Sequence, residues 1–348
     1  MRRNAVLKVP VTTLFLFLAS GLIARGAPAE PPYPIRIACQ PTANWLRSTA
    51  RELKLFEKAG LAPTYVPFDT GAPMIAAAQE TSIDVADVGI VPFMLGLSKG
   101  IDWVLIGISG EGAYAEGIAA RRDRGIDWLP DLKGKRIGYA RGSTAHYGLI
   151  MTLRQQGIGL DQVTLVDMPP VEQLAALENG SIDAAISWEP WLHRMTHEAG
   201  ARVIATEGDL GIYTNVTGYA VRREWLSANR ETAVRFIRAL LMAYDVLKKD
   251  RDVGIKALAK EMGIKETWVK EIYDDAPPPN MNWWKDRRDR YSLVEGAGLH
   301  RRLGYLATFL LEEKLFPQPV DVSEVMDVSI ITEVLGTLKS QPPTAPAQ

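Results

Sequence analysis

Four short stretches hold residue types that can grip a small molecule. The first is ARGSTAHY, residues 140–147. A strand ending at Ala140 and a helix starting near Thr144 would expose main-chain N–H groups at the positive end of a helix dipole, a setting that favours an anion. Ser143 and Thr144 add hydroxyl donors, and His146 follows close behind. Ser is also a common helix cap, so residue type alone leaves ligand contact and capping equally open for Ser143. For His146 a structural role is as open as donation to an anion. The second stretch is SWEPW, residues 187–191. Trp188 closes a strand and could wall a cleft or pack in the core. Glu189 could accept from an amine on a ligand, or simply favour the start of the next helix, where Pro190 suits the first turn.

The third stretch, CQPTANW (39–45), follows the first strand. Gln40 and Asn44 can donate, and Trp45 can stack on or cover a ligand. Its plainer reading is a helix-cap loop. The fourth is Asp87-Val-Gly89-Ile-Val, where Gly89 permits close backbone approach. Asn215 and Thr217 are weaker candidates further along, as are Tyr114 and Glu116.

Catalytic and metal chemistry find little support. The four histidines are His146, His193, His197 and His300. His193 and His197 stand four apart in HRMTH, which lacks the glutamate of H-E-x-x-H, and no third ligand is evident. No G-x-S-x-G or phosphate-cradling glycine loop is present. Cys39 is the single cysteine, so no internal disulfide can form, and it lies too late in the chain for a lipid anchor. No catalytic residue, metal or cofactor is expected.

These stretches need elements to hold them. IRIAC, PTYVPF, IDVADVG and WVLIGIS read as strands, and NWLRSTARELKLFEKAGL, PMIAAAQET and VPFMLGLSKG as the helices between them. The alternation signals an α/β sheet. It restarts with GIAAR, KRIGYA, VTLVDM, IDAAISW and ARVIAT, interleaved with STAHYGLIMTLRQQG, VEQLAALENG and EPWLHRMTHEAG. Ser-Ile-Asp falls at the same point in each half, as SIDVADVG from Ser82 and SIDAAISW from Ser181. The chain therefore reads as two similar lobes, with ligands expected at the carboxyl ends of the strands. From Arg222 the pattern turns helical, interrupted by APPPN (276–280), and this region supports one lobe. QPPTAPAQ at the end reads as disordered.

The N-terminus has Arg2, Arg3 and Lys8 before VPVTTLFLFLASGLIA and small residues after it. This reads as a secretory signal peptide, residues 1–29, with an apolar run short of the ~20 residues that span a bilayer. Without its four basic residues the chain has 36 Lys+Arg against 41 Asp+Glu, a net charge of −5. No basic patch suggests nucleic acid.

LKGKRIGYARGSTAHYGLIMTLRQQGI (132–158), SIDVADVG and NGSIDAAISWEPW resemble segments of the nitrate/sulfonate/taurine solute-binding proteins, the NMT1/THI5-like family. That family often shows G-x-x-D-A-x-x-x-W-[ED]-P where Gly180–Pro190 stands here. The resemblance covers residues 33–240. It implies an α/β, two-lobed periplasmic-binding-protein fold of type II: mixed sheets flanked by helices, with two crossover strands near Glu116–Ala120 and Tyr213–Tyr219. Lobe 1 would comprise 30–116 and 218–340, lobe 2 117–217, and 341–348 the tail. It also implies a monomeric periplasmic protein that delivers a small solute to ABC importer permease subunits, and it tips Ser143 and Thr144 towards ligand contact. The leading ligand is an alkanesulfonate or taurine-like anion. An aromatic solute such as a thiamine-pyrimidine precursor is the alternative, and a THI5-related enzyme is a further one, although its cysteine-rich motif is absent.

Overall fold

The computed structural model describes residues 31–212 and 216–339. The expected signal peptide, Asn215 and the Pro-rich tail lie outside the described residues. The first half runs β1 (Tyr33–Cys39), α1 (Trp45–Glu52), α2 (Leu55–Lys58), β2 (Leu61–Pro67), α3 (Ala72–Gln79), β3 (Val85–Gly89), α4 (Ile90–Ser98) and β4 (Trp103–Glu111). The second runs β5 (Glu116–Ala120), β6 (Arg136–Tyr139), α5 (Thr144–Gln155), β7 (Thr164–Asp167), α6 (Pro170–Asn179), β8 (Ala184–Trp188), α7 (Trp191–His197) and β9 (Arg202–Thr206). β10 (Val216–Arg222) then leads into helices α8 (Arg223–Ala228), α9 (Arg230–Lys249), α10 (Arg251–Met262), α11 (Glu266–Asp275), α12 (Gly298–Glu312) and α13 (Ser329–Lys339).

Two five-stranded sheets result, ordered β2-β1-β3-β10-β4 and β7-β6-β8-β5-β9. Each is parallel except where β10, or β5, runs antiparallel to its neighbours. A separate apolar core backs each sheet. The crossover expected at Glu116–Ala120 is itself a strand of the second sheet, paired with β8 and β9. The passage between sheets is the short link 112–115 before it. On the return, Val216–Tyr219 already belongs to β10, between β3 and β4.

The helix expected through NWLRSTARELKLFEKAGL is broken at Lys54, which takes a left-handed φ of 53°. The break lets Phe56 turn inward and stack on Phe236 of α9, ring centroids 5.5 Å apart. The helical region after β10 does support the first sheet. α9 and α10 pack on α1, and residues 325–327 hydrogen-bond to Leu105 on the outer edge of β4. That contact covers a strand edge that would otherwise offer unpaired N–H and C=O groups.

The repeated Ser-Ile-Asp has one structural job, done twice. Asp84 accepts from the main-chain N–H of Arg36 in β1 at 2.8 Å, while its own N–H donates to the Arg36 carbonyl at 2.9 Å. Asp183 does the same with Arg136 in β6, at 2.9 and 2.8 Å. The aspartate locks the entry of β3 to that of β1 in one half and the entry of β8 to that of β6 in the other. A main-chain N–H bonded to a charged acceptor contributes about 1.5–3 kcal/mol. Asp84→Ala should therefore lower the unfolding free energy by roughly that amount, measured by urea denaturation. A loss below about 0.5 kcal/mol would remove the latch from the account.

Candidate ligand site between the two sheets

The carboxyl ends of strands from both sheets face one cavity of about 60 Å³. The first sheet supplies Gln40, Thr42, Ala43 and Trp45 after β1, Gly89 and Pro92 at the start of α4, and Gly110, Glu111 and Thr217 from β4 and β10. The second supplies Glu116 at the start of β5, Ser143 and Thr144 at the start of α5, and Trp188 and Glu189 after β8. Ala276 and Pro277, from the stretch read only as an interruption between helices, complete the wall. Three helix starts, those of α1, α4 and α5, thus meet at one place.

The floor is set by Asp87 in β3, which is 1% exposed. Its carboxylate accepts from Asn44 Nδ2 at 2.6 Å, Arg47 Nε at 3.2 Å and Ser109 Oγ at 2.7 Å. Arg47 is fully buried and also pairs with Glu261. Burial works against its charge, yet Glu261 and Asp87 hold its pKa above the ordinary value. Ser109 Oγ lies 2.9 Å from Thr217 Oγ1. A carboxylate only accepts, so the Ser109 proton goes to Asp87 and the bond to Thr217 uses the Thr217 proton. Thr217 Oγ1 keeps its remaining lone-pair capacity for the cavity.

Seven of the ten residues expected at the site line this cavity: Gln40, Trp45, Gly89, Ser143, Thr144, Trp188 and Glu189. Their chemistry differs from expectation at several points. The Ser143 hydroxyl donates to the Ala140 carbonyl at 2.7 Å and accepts from His146 N at 3.2 Å, so it caps α5. The Thr144 hydroxyl donates to Glu116 Oε2 at 2.9 Å. The chain's own carboxylate therefore sits at the start of α5, where an outside anion was expected. Glu189 lines the cavity but accepts from His193 N at 3.2 Å, and it faces His193 Nδ1 at 2.8 Å.

Two of the expected residues lie off the cavity wall. Asn44 is turned inward, accepting from Arg47 N and the Tyr219 hydroxyl and donating to Asp87. Its cap geometry serves the floor rather than the opening. His146 lines a second cavity with Arg141, Lys314 and Phe316, and its Nδ1 accepts from Gly142 N at 3.2 Å. Burial, with Arg141 nearby, holds the His146 pKa down at about 4, so the ring is neutral. Tyr114, weaker at the outset, lies across Gly208, where an added Cβ would meet its ring at 2.4 Å.

Trp45 acts as a fastener. Its Nε1 donates to the Ala276 carbonyl at 2.7 Å and its ring meets Tyr273 edge-on at 4.8 Å, which pins residues 276–277 over the cavity. Trp188 belongs to the second sheet's core and also donates from Nε1 to the Pro41 carbonyl at 3.3 Å, tying the two sheets together. Gly89 allows a close approach between them: a Cβ there would come within 3.2 Å of Thr144 Cγ2. Gln40 is 8% exposed, and its Oε1 has no hydrogen-bond partner among the described residues.

Solved structures with this fold include solute-binding proteins. The alkanesulfonate-binding protein SsuA from Xanthomonas axonopodis pv. citri, bound to MOPS, superposes with a TM-score of 0.73 at 25% identity over 86% of this chain and 99% of that one. The periplasmic nitrate-binding protein NrtA from Synechocystis PCC 6803 shares the fold at 0.70, with 12% identity over 91% and 92% of the two chains. The fold is that of the periplasmic binding proteins. The chain belongs to the NMT1/THI5-like family, whose model matches residues 48–252. A protein of Bacillus subtilis named as a candidate aliphatic sulfonates-binding protein is 27% identical over 96% of this chain and 97% of its own. The taurine-binding periplasmic protein of Escherichia coli is 23% identical over 67% and 74%.

Two expectations follow from the geometry. Ser143→Ala should cost about 1 kcal/mol of stability, as loss of a cap does, while ligand affinity changes by less than about threefold. Paired denaturation and calorimetry check this, and a tenfold affinity loss would put the hydroxyl on the ligand. The second concerns His193, whose ring nitrogens face Glu189 at 2.8 Å and Glu271 of α11 at 3.0 Å. A neutral imidazole can donate from one nitrogen only, so both bonds need the imidazolium. Burial opposes that charge, but Glu189 and Glu271 outweigh it and raise the pKa. The stabilisation is complete below the unfolded value of about 6.5 and is lost as pH rises through the raised folded value. The Tm gap between wild type and His193→Gln should shrink from pH 6 to pH 9, and a gap that widens would reverse the assignment.

Proposed function

We propose that this protein is the extracytoplasmic solute-binding component of an ABC importer, and that it captures a small organic anion between its two lobes. The observation that carries the reading is the meeting of the α1 and α4 starts on one cavity, beside the α5 start that Glu116 occupies. N–H groups at a helix start bind an anion through hydrogen bonds and the aligned dipole without a cationic side chain. The start of α4 has no side-chain cap. The relatives' names and the bound MOPS in the Xanthomonas protein support an acid of the sulfonate class.

In this reading lobe 1 comprises residues 30–116 and 218–340 and lobe 2 comprises 117–217. The basic, apolar and small-residue N-terminus directs export to the periplasm, where the mature monomer docks on the permease. Binding without turnover is the favoured role. The fold also occurs in the desulfurization enzyme DszB, with a TM-score of 0.64 at 19% identity, so the fold alone does not decide between the two. Cys39, the single cysteine, is buried with its thiol pushed up by burial, which disfavours the nucleophilic thiolate.

The walls formed by Trp45 and Trp188 favour a second reading, an aromatic solute such as a pyrimidine. A thermal-shift screen of short alkanesulfonates against aminopyrimidines separates the two. At a hundredfold excess over Kd a ligand adds about 2.7 kcal/mol, several degrees for a protein of this size. Sulfonates are expected to raise the Tm and return unchanged. Stabilisation by the pyrimidines alone would replace the anion with the aromatic ligand.

A further inference from the structure

The second cavity, the one that His146 lines, shares no lining residue with the first. It lies where the start of α5 meets α4 and the end of α12, and its volume is about 200 Å³. Most of its wall is apolar. Val91 and Leu95 come from α4, and Leu310 and Phe316 from the end of α12 and the turn after it. Val91, Leu310 and Phe316 are at most 5% exposed. A dry cavity of about 150 Å³ with such a lining takes up benzene. This one therefore has room for a six-membered ring and a small head group.

The polar end of the cavity only donates. His146 is 4% exposed, and its Nδ1 accepts from Gly142 N at 3.2 Å. Burial and the nearby Arg141 hold its pKa at about 4, so the ring is neutral. A neutral imidazole whose Nδ1 accepts carries its one proton on Nε2. Tyr139 covers a face of the ring, centroids 4.6 Å apart, and the Nε2–H has no acceptor among the described residues. A buried donor without a partner is costly unless something else supplies the acceptor. Lys314 stands in the turn after α12 with a left-handed φ of 57°, at a place that usually goes to glycine. Its ammonium has no ion pair among the described residues. Arg141 is bonded to Asp167 through Nε and its main-chain N–H, so that pair adds little net charge. No carboxylate is among the described residues of the lining.

Two donors at one end and an apolar chamber behind them suit a two-oxygen anionic head on a compact apolar body. We infer that this cavity is a second ligand site, for a benzoate-sized monocarboxylate, with its head on His146 Nε2 and the Lys314 ammonium and its body against α4 and α12. The lining comes from elements of both sheets, so an occupant would join them. The inference stands apart from the proposed role of the first cavity.

Calorimetry on the full mature chain tests it with three probes. Benzoate carries both features, benzamide keeps the shape without the charge, and acetate keeps the charge without the ring. Benzoate should bind with a Kd below about 1 mM, and at least about tenfold more tightly than either control. Lys314→Gln is an exposed change away from the lining of the first cavity. It should weaken benzoate by at least about threefold and leave benzamide unchanged. Proton–nitrogen NMR of the histidine rings should show the His146 Nε2 signal moving as benzoate is added. Failure of benzoate to bind would overturn the inference. So would a His146 signal that stays still at saturation, or an unchanged benzoate affinity in Lys314→Gln, since the ligand would then sit elsewhere. An equal loss for benzoate and benzamide in that variant would overturn it as well, because the ammonium would not be reading the charge.

Discussion

The Asp87 carboxylate, buried at the end of β3, is the interaction on which the cavity depends. It receives bonds from the loop after β1, from the first turn of α1 and from β4, and through Ser109 it fixes a hydroxyl on β10. The β1–α1 junction, β4 and β10, distant from one another in sequence, are brought to β3 by a single charge. Such a charge is tolerated out of water only with a charged partner and filled hydrogen bonds. Arg47 supplies the partner and is itself balanced by Glu261. The loss of any one member would strand another in an apolar surrounding. The site floor is therefore rigid, and the residues mounted on it, Trp45 and Thr217 among them, inherit that rigidity.

Around this floor the two sheets are joined by polar ties and by apolar contacts of α5, whose Tyr147 belongs to the first sheet's core and meets Phe309 of α12 edge-on at 5.0 Å. Trp188 reaches Pro41, His193 reaches Glu271, and Arg154 pairs with Glu313.

Much of the fold was legible in local patterns. Strands such as IRIAC and IDAAISW carry their apolar, β-branched character openly, and glycines 60, 100, 157 and 180 mark turns where φ is positive. The doubled Ser-Ile-Asp was a correct sign of two similar halves, and its cause is a hydrogen bond that each sheet needs. What local patterns could not supply were pairings across long separations. Trp45 and Ala276 are 231 residues apart, so the role of APPPN in the wall was invisible. Ser143 and Asn44 were rightly placed near the site, but the direction of their hydrogen bonds depends on neighbours that only the fold assembles. Glu116 was ranked low for the same reason, since its importance comes from Thr144, 28 residues on. The last helix, α13, has an apolar stripe that is too brief to stand out from the tail.

The place of β10 has a consequence for how the chain becomes a protein. This strand lies between β3 and β4, so the first sheet has a gap at its centre until residue 222 is available. The second sheet has no such gap, because β5 to β9 are contiguous in the chain. As the polypeptide emerges from N- to C-terminus, the leading half can collapse but cannot complete its sheet, while the middle segment can close on itself first. Pairings that wait on distant strands form late and slowly. In the proposed exported role that delay would be an advantage, since the leading segment would stay incomplete and threadable while the chain is carried across the membrane.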